Sequence, residues 1–294
     1  MFNITSDIHV DMYFNTKYSE NQKYDYIMGN IDNLPMKIQE EILTNVDEYI
    51  NQMIRNTKKL TDTLILAGDI ANNNSYSKVF LKKASTIWKN VWYIDGNHEY
   101  YFQEKDNGDN RLYKLIEDLK DYPNINYVAN TIQEIQCSEK LLKIGFLPLM
   151  YNMNNPDVFK MFNNRMNDKY FITPEYMYES YEKGRTFNEN EIYDKCDICV
   201  SHVPLLRLDG TSDEETTYYT KLKIDSKIIY FFGHTHRNEE VDDFIITEDG
   251  RKESVKGYSV GVGYPTIYGR GIGIPHTQTF IYSDKEKRIV ELRQ

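Results

Sequence analysis

Apolar residues in this chain gather in short runs that each break off into a polar turn: FNITSD (2–7), TLILAGD (63–69), VWYIDGN (91–97), ICVSH (198–202) and IIYFFGH (228–234). Continuous apolar runs of this length, bounded by turn residues, predict strands buried on both faces. Between them the period changes. Over residues 35–58, Ile38, Ile42, Val46, Ile50, Met53 and Ile54 recur at spacings of mostly three and four, the stripe of an amphipathic helix. Pro35 sits near its start, where proline is tolerated. Residues 75–88 and 110–121 read as shorter helices. Strands alternating with helices predict an α/β fold. Segments near 241–247, 258–263, 277–283 and 287–293 read as strands with few helices between them, so the C-terminal sheet is expected to be antiparallel or mixed. The Asn-, Met- and Tyr-rich stretch 150–195 is compatible with a helical insertion.

The polar ends of the five runs carry the chemistry. Asp7 and His9 follow the first, Asp69 the second, Asn97 and His98 the third, His202 the fourth, and His234 and His236 the fifth, so five of the six histidines lie at strand exits. In layered α/β sheets ligands gather at the carboxyl ends of strands, where groups far apart in sequence converge. Two carboxylates, an amide oxygen and several imidazoles form an oxygen and nitrogen donor set suited to Mn²⁺, Fe or Zn²⁺ and unlike a thiolate site. Because these residues span 7 to 236 and must meet, a single domain over 1–294 is expected.

Composition narrows the partners. The net charge of −10, with acidic residues spread along the chain, disfavours a general attraction to nucleic acid or anionic membranes. The N-terminus MFNITSDIHV lacks a basic segment followed by an apolar one, and no apolar run approaches the roughly 20 residues that cross a bilayer. Three cysteines, an odd and sparse set, fit a reducing compartment, so a cytoplasmic location is expected. Cys196-x-x-Cys199 stands alone, and on a strand residues three apart face opposite sides, so both are expected in the core. The glycine-rich stretch 257–273 follows no phosphate-loop pattern and is expected to form turns, with Arg270 a candidate phosphate contact. Asp213, Glu214 and Glu215 read as a solvated loop, and His276 is assigned no role.

SDIH, AGDI, GNHE, SH and GHTH, in that order, resemble the five signature blocks of the calcineurin-like metallophosphoesterases. The resemblance implies a four-layer α/β/β/α sandwich of two mixed sheets. It also implies two divalent metal ions, Mn most readily with Fe, Zn or Ni as alternatives. Asp7, His9 and His236 would hold one ion, Asn97, His202 and His234 the other, and Asp69 would bridge them with its two carboxylate oxygens. Attack by a metal-activated water on phosphorus follows from such a centre. An extended backbone at His234-Thr235-His236 would turn both imidazoles to one side. His98, left without a metal, would protonate the leaving alkoxide or stabilise phosphate charge, and Glu99 would orient the loop.

Departures from the family pattern bear on the substrate. Where the Ser/Thr protein phosphatases have GDxVDRG this chain has GDIANNN, and Asp95 replaces the arginine that precedes their GNHE. Both argue against a protein phosphatase. With NRMNDKYFITPE (164–175), the blocks look more like small bacterial and phage metallophosphoesterases, which places the insertion at the site. A small phosphodiester, phosphomonoester or nucleotide is the expected substrate. A nuclease with a locally assembled basic groove is the alternative, and a catalytically silent binding module is the reading from another class.

Overall fold

The computed structural model describes residues 1–14, 16–101, 110–137, 140–206, 222–246, 250–262, 274–283 and 288–292. Arg270, Asp213, Glu214, Glu215 and most of the glycine-rich stretch lie outside these residues. The five apolar runs form strands β1 (Phe2–Thr5), β2 (Thr63–Ala67), β3 (Asn90–Ile94), β7 (Ile198–Ser201) and β8 (Ile229–Phe232). β4 (Ile125–Tyr127), β5 (Thr131–Cys137), β6 (Lys140–Leu147), β9 (Asn238–Ile246), β10 (Lys252–Val260), β11 (Gln278–Ser283) and β12 (Arg288–Glu291) complete two six-stranded sheets. The first runs β12-β11-β1-β2-β3-β4 and the second β5-β6-β7-β8-β10-β9. Both are mixed: β1 to β4 are parallel with β11 antiparallel to β1, and β6, β7, β8 and β10 are parallel with β5 and β9 antiparallel at the two edges.

The sheets pack face to face, because each buried strand has apolar side chains on both faces. Phe2, Ile4, Ile65 and Ile94 of the first sheet meet Ile144, Phe146, Val200 and Phe231 of the second. Helices α1 (Glu20–Met28), α2 (Met36–Asn56), α3 (Asn74–Ala84) and α4 (Asn110–Leu119) cover the outer face of the first sheet. In α2 the stripe Ile38, Ile42, Val46, Tyr49, Ile50 and Met53 is buried; each such side chain contributes about 1.5–3 kcal/mol on removal from water. Across the molecule, α6 (Pro174–Phe187) covers the second sheet through Tyr181. The result is the α/β/β/α sandwich. The 150–195 stretch is helical: α5 (Pro156–Arg165), a 3-10 turn over Asn167–Tyr170, then α6. Its apolar residues Tyr151, Val158, Phe162 and Met177 join Tyr100 and Tyr101, beyond the end of β3, in one cluster.

The sheets are stapled where the functional loops begin. Ser6 bridges Gly261 in parallel, donating its N–H to Val260 O at 3.0 Å and accepting from the Val262 N–H at 3.0 Å. The Ser6 hydroxyl donates to Ala67 O at 2.7 Å. The exits of β1, β2 and β10 are therefore held within one hydrogen-bonded unit. Cys196 precedes β7 instead of lying on it, so the expected opposition of Cys196 and Cys199 does not arise and both enter the same core cluster.

Candidate metal centre

The loop after β1 is zipped to the loop after β2: Asp7, His9 and Val10 donate their N–H groups to Gly68, Asp69 and Ile70 carbonyls at 3.2, 3.1 and 3.0 Å. Asp7, His9, Asp69, His234 and His236 have φ between 41° and 66°, in the left-handed region. For non-glycine residues this costs about 1–3 kcal/mol each, and it persists where surrounding structure over-determines it. The extended conformation expected at His234-Thr235-His236 is thus replaced by two left-handed residues, because β8 ends at Phe232. The two imidazoles diverge, His234 toward Asn97 and His202, His236 toward Asp7. Gly96 permits the closest approach of the loops, since a Cβ there would lie 2.2 Å from Asp69 Oδ1 and 2.6 Å from His202 Cε1.

All eight residues singled out at the strand exits come together. Asp69 Oδ2 faces Nε2 of His202, His9 and His98 at 3.4, 3.7 and 3.9 Å. Asp69 Oδ1 accepts the His98 N–H at 2.9 Å, while Oδ2 faces imidazoles of both sets. On one side His236 Nε2 lies 3.6 Å from Asp7 Oδ1, and the His9 and His236 rings stack at 5.0 Å. On the other, Asn97 Oδ1 lies 3.0 Å from His202 Nε2 and 3.1 Å from His234 Nδ1, which are 3.3 Å apart. The groups Asp7–His9–His236, His9–Asp69–His98 and Asp69–His202–His234 each bring their donor atoms within 4.8 Å of one another.

Electrostatics single out the same centre. Burial alone would raise Asp69, but His202, His98 and His9 hold its carboxyl well below the usual range. Burial raises the Asp7 carboxyl. Burial lowers His9, His98 (to about 4) and His234 (to about 3), whereas His202, despite burial, is raised to about 10 by Asp69. Asp7 Oδ2 is buried without a hydrogen-bond partner among the described residues. A buried acceptor left so is costly, and a cation satisfies it; the oxygen and nitrogen donors fit hard-to-borderline divalent ions.

Around this centre stand residues that the strand-exit pattern does not reveal. Glu99 Oε2 accepts from the N–H groups of Asp69 and Gly96 at 2.9 and 2.7 Å and Oε1 from Ile70 at 2.8 Å, so Glu99 does tie the loops. Burial and Asp69 raise it to about 7. His98 Nδ1 donates to Asn72 Oδ1 at 2.6 Å, and the Asn72 amide is oriented by Nδ2 donating to Asp11 Oδ2 at 3.1 Å. In neutral His98 the lone pair therefore sits on Nε2, facing Asp69. Arg111, fully buried, donates to the carbonyls of Ala71, Asn72 and Tyr101 at 2.6, 2.5 and 2.8 Å. Tyr101 stacks on His98 at 4.1 Å, and the Tyr151 hydroxyl hydrogen-bonds His234 Nε2. Asp95 does not face the centre: its carboxylate accepts from the Tyr100 hydroxyl at 2.6 Å and from the Tyr127 hydroxyl. Its carboxylate is thus structural, and the absence of the arginine that the Ser/Thr protein phosphatases carry at this position is unaffected. His276, outside the cluster, is half-buried and hydrogen-bonded to Asn238.

Residues 2–238 match the family described as calcineurin-like phosphoesterase. The chain belongs to that family. It is accordingly a metal-dependent phosphoester hydrolase. Among solved structures, phosphopantetheinyl hydrolase from Mycobacterium tuberculosis superposes with a TM-score of 0.56 at 17% identity, covering 92% of this chain and 91% of that one. An uncharacterized protein of Acanthamoeba polyphaga mimivirus is 36% identical over 81 residues, 24% of this chain and 27% of that relative's length. No helix among the described residues is long and apolar enough to cross a membrane.

Proposed function

We propose that this phosphoesterase is dinuclear and hydrolyses a small phosphodiester, phosphomonoester or nucleotide. The observation that carries this reading is Asp69 Oδ2, which faces His9 of one donor set and His202 of the other at 3.7 and 3.4 Å. Asp7, His9 and His236 would hold one ion, Asn97, His202 and His234 the second, with Asp69 shared; Mn is the first candidate, with Fe, Zn and Ni as alternatives. Two such ions, when bound, supply Lewis acidity at phosphorus and a water of lowered pKa.

The chain's own residues do the rest. His202 Nδ1 donates to Ala67 O at 2.8 Å, which leaves its Nε2 lone pair for the centre. The raised affinity of His202 for a proton is matched to Asp69, and a cation takes that proton's place. His98 is neutral at pH 7, being lowered to about 4 by burial. Its Nε2 faces the centre with Nδ1–H fixed on Asn72, so it would take a proton from solvent as the anionic phosphate arrives and then either pass it to the leaving oxygen or retain it against the phosphate charge. The net charge of −10 favours a small substrate over a long polyanion.

The test is hydrolysis of p-nitrophenyl phosphate and bis-p-nitrophenyl phosphate with and without Mn²⁺, followed by a panel of cyclic and linear nucleotides, a phosphopantetheinyl ester and single-stranded DNA. Metal-dependent turnover of the small esters is expected. Turnover of DNA well above all of them would replace the small-substrate reading with a nuclease, and no turnover of any would remove the enzyme reading.

A further inference from the structure

The insertion reaches the centre through a residue no signature block contains. Asp168 lies in the 3-10 turn Asn167–Tyr170 and is buried, 3% exposed. Its backbone carbonyl accepts the N–H groups of Phe171 and Ile172 at 2.8 and 2.7 Å, which fixes the turn. Its carboxyl receives hydrogen bonds from the side chains of Asn97 and Tyr101, while Oδ1 is buried without a hydrogen-bond partner among the described residues. Asn97 Nδ2 also donates to the Tyr101 hydroxyl at 3.3 Å, and Phe171 stacks on Tyr101 at 4.4 Å.

An asparagine side chain has two nearly isosteric ends, an acceptor oxygen and a donor NH₂. Only the oxygen ligates a cation; a 180° flip would aim N–H groups at it. On the side facing His202 and His234 the structure places Asn97 Oδ1; its Nδ2 faces the Tyr101 hydroxyl and the amide hydrogen-bonds the Asp168 carboxyl. The Tyr101 hydroxyl, with its one proton given to Asp168, is left to accept and so also takes the NH₂ end of the amide. An ionised carboxylate only accepts, so it admits the NH₂ and rejects the oxygen. We propose that Asp168 is the positioning residue for Asn97, locking its amide so that Oδ1 faces the second metal ion, and that the insertion thereby controls occupancy of that site. Tyr151, from the same insertion, holds His234 Nε2 in the same way. Partners that orient ligands from behind change metal affinity by about 10–100-fold when removed.

This inference rests on the dinuclear reading, and calorimetric titration with Mn²⁺ separates the two. The wild-type protein is expected to bind two ions per chain. In Asp168→Asn, near-isosteric and able to face either end of the amide, the tighter-binding site is expected to stay within twofold while the other weakens about 10–100-fold, with turnover recovering as Mn²⁺ is raised. A second comparison does not depend on that variant alone. In an Asn97→Asp background both atoms at position 97 are oxygens and a flip has no consequence, so adding Asp168→Asn is expected to weaken Mn²⁺ binding no further. Two-site binding unchanged in Asp168→Asn, or the same weakening in both backgrounds, overturns the proposal while leaving the dinuclear reading intact. A wild-type protein that binds fewer than two ions overturns both.

Discussion

The residues at the centre are held by hydrogen bonds that divide each side chain into a working end and an anchored end. His98 shows the pattern: Nδ1 is committed to Asn72, itself committed to Asp11, and Nε2 is left toward Asp69. If His98 gives a proton to the leaving oxygen, replacing it should hurt poor leaving groups most. His98→Ala is expected to lower kcat by about 10²–10⁴, with a larger loss on an alkyl phosphate than on p-nitrophenyl phosphate and with metal content unchanged. Equal losses on the two substrates would assign His98 to charge stabilisation alone. At this scale the eight residues of the centre were legible, because histidine, asparagine and aspartate at strand exits are conspicuous against apolar runs. Their left-handed backbone was not, since φ at Asp7, His9, Asp69, His234 and His236 is imposed by contacts between loops that no local pattern encodes. Nor was the role of Asp95: the sequence marks it only as the residue standing in place of an arginine, while its carboxylate is held by the hydroxyls of Tyr100 nearby and of Tyr127 on β4.

Among the elements, strands buried on both faces and the α2 helix were legible from period alone. β5 and β6 were not, because TIQEIQC and KLLKIGFL mix polar and apolar positions: β5 is an edge strand, and Leu141 and Lys143 remain exposed on one side of β6. α1 was equally silent, burying only Tyr26 and Ile27. The tie between elements that matters most is Arg111, near the start of α4, which carries no sequence signal and would pass for a surface residue. Its guanidinium binds carbonyls in the loop after β2 and at Tyr101 beyond β3, and its Nε donates to Asn74 Oδ1 at 3.1 Å in α3. Arg111→Met leaves those carbonyls buried without their donor. It should lower unfolding free energy by about 1–3 kcal/mol for each carbonyl left unsatisfied, read as a lower urea midpoint; a midpoint within error of wild type would show that the clamp is dispensable.

For the whole molecule, the sandwich serves to bring the carboxyl ends of two sheets face to face. Asp7 and Asp69, Asn97 and His98 come from the first sheet, His202, His234 and His236 from the second, and the Ser6–Gly261 bridge locks the two edges together. Asp69 stands at the junction of the two donor sets. Its Oδ2 is close to His9 and His202 alike, and Asp69→Asn should therefore weaken both sites and abolish turnover. The most direct measurement is electron paramagnetic resonance of the protein loaded with two equivalents of Mn²⁺. Two ions held on a shared Asp69 carboxylate would give an exchange-coupled spectrum, which collapses to isolated or free Mn²⁺ in Asp69→Asn. Only isolated six-line signals in the wild-type protein, at every loading, would contradict a dinuclear centre built on Asp69.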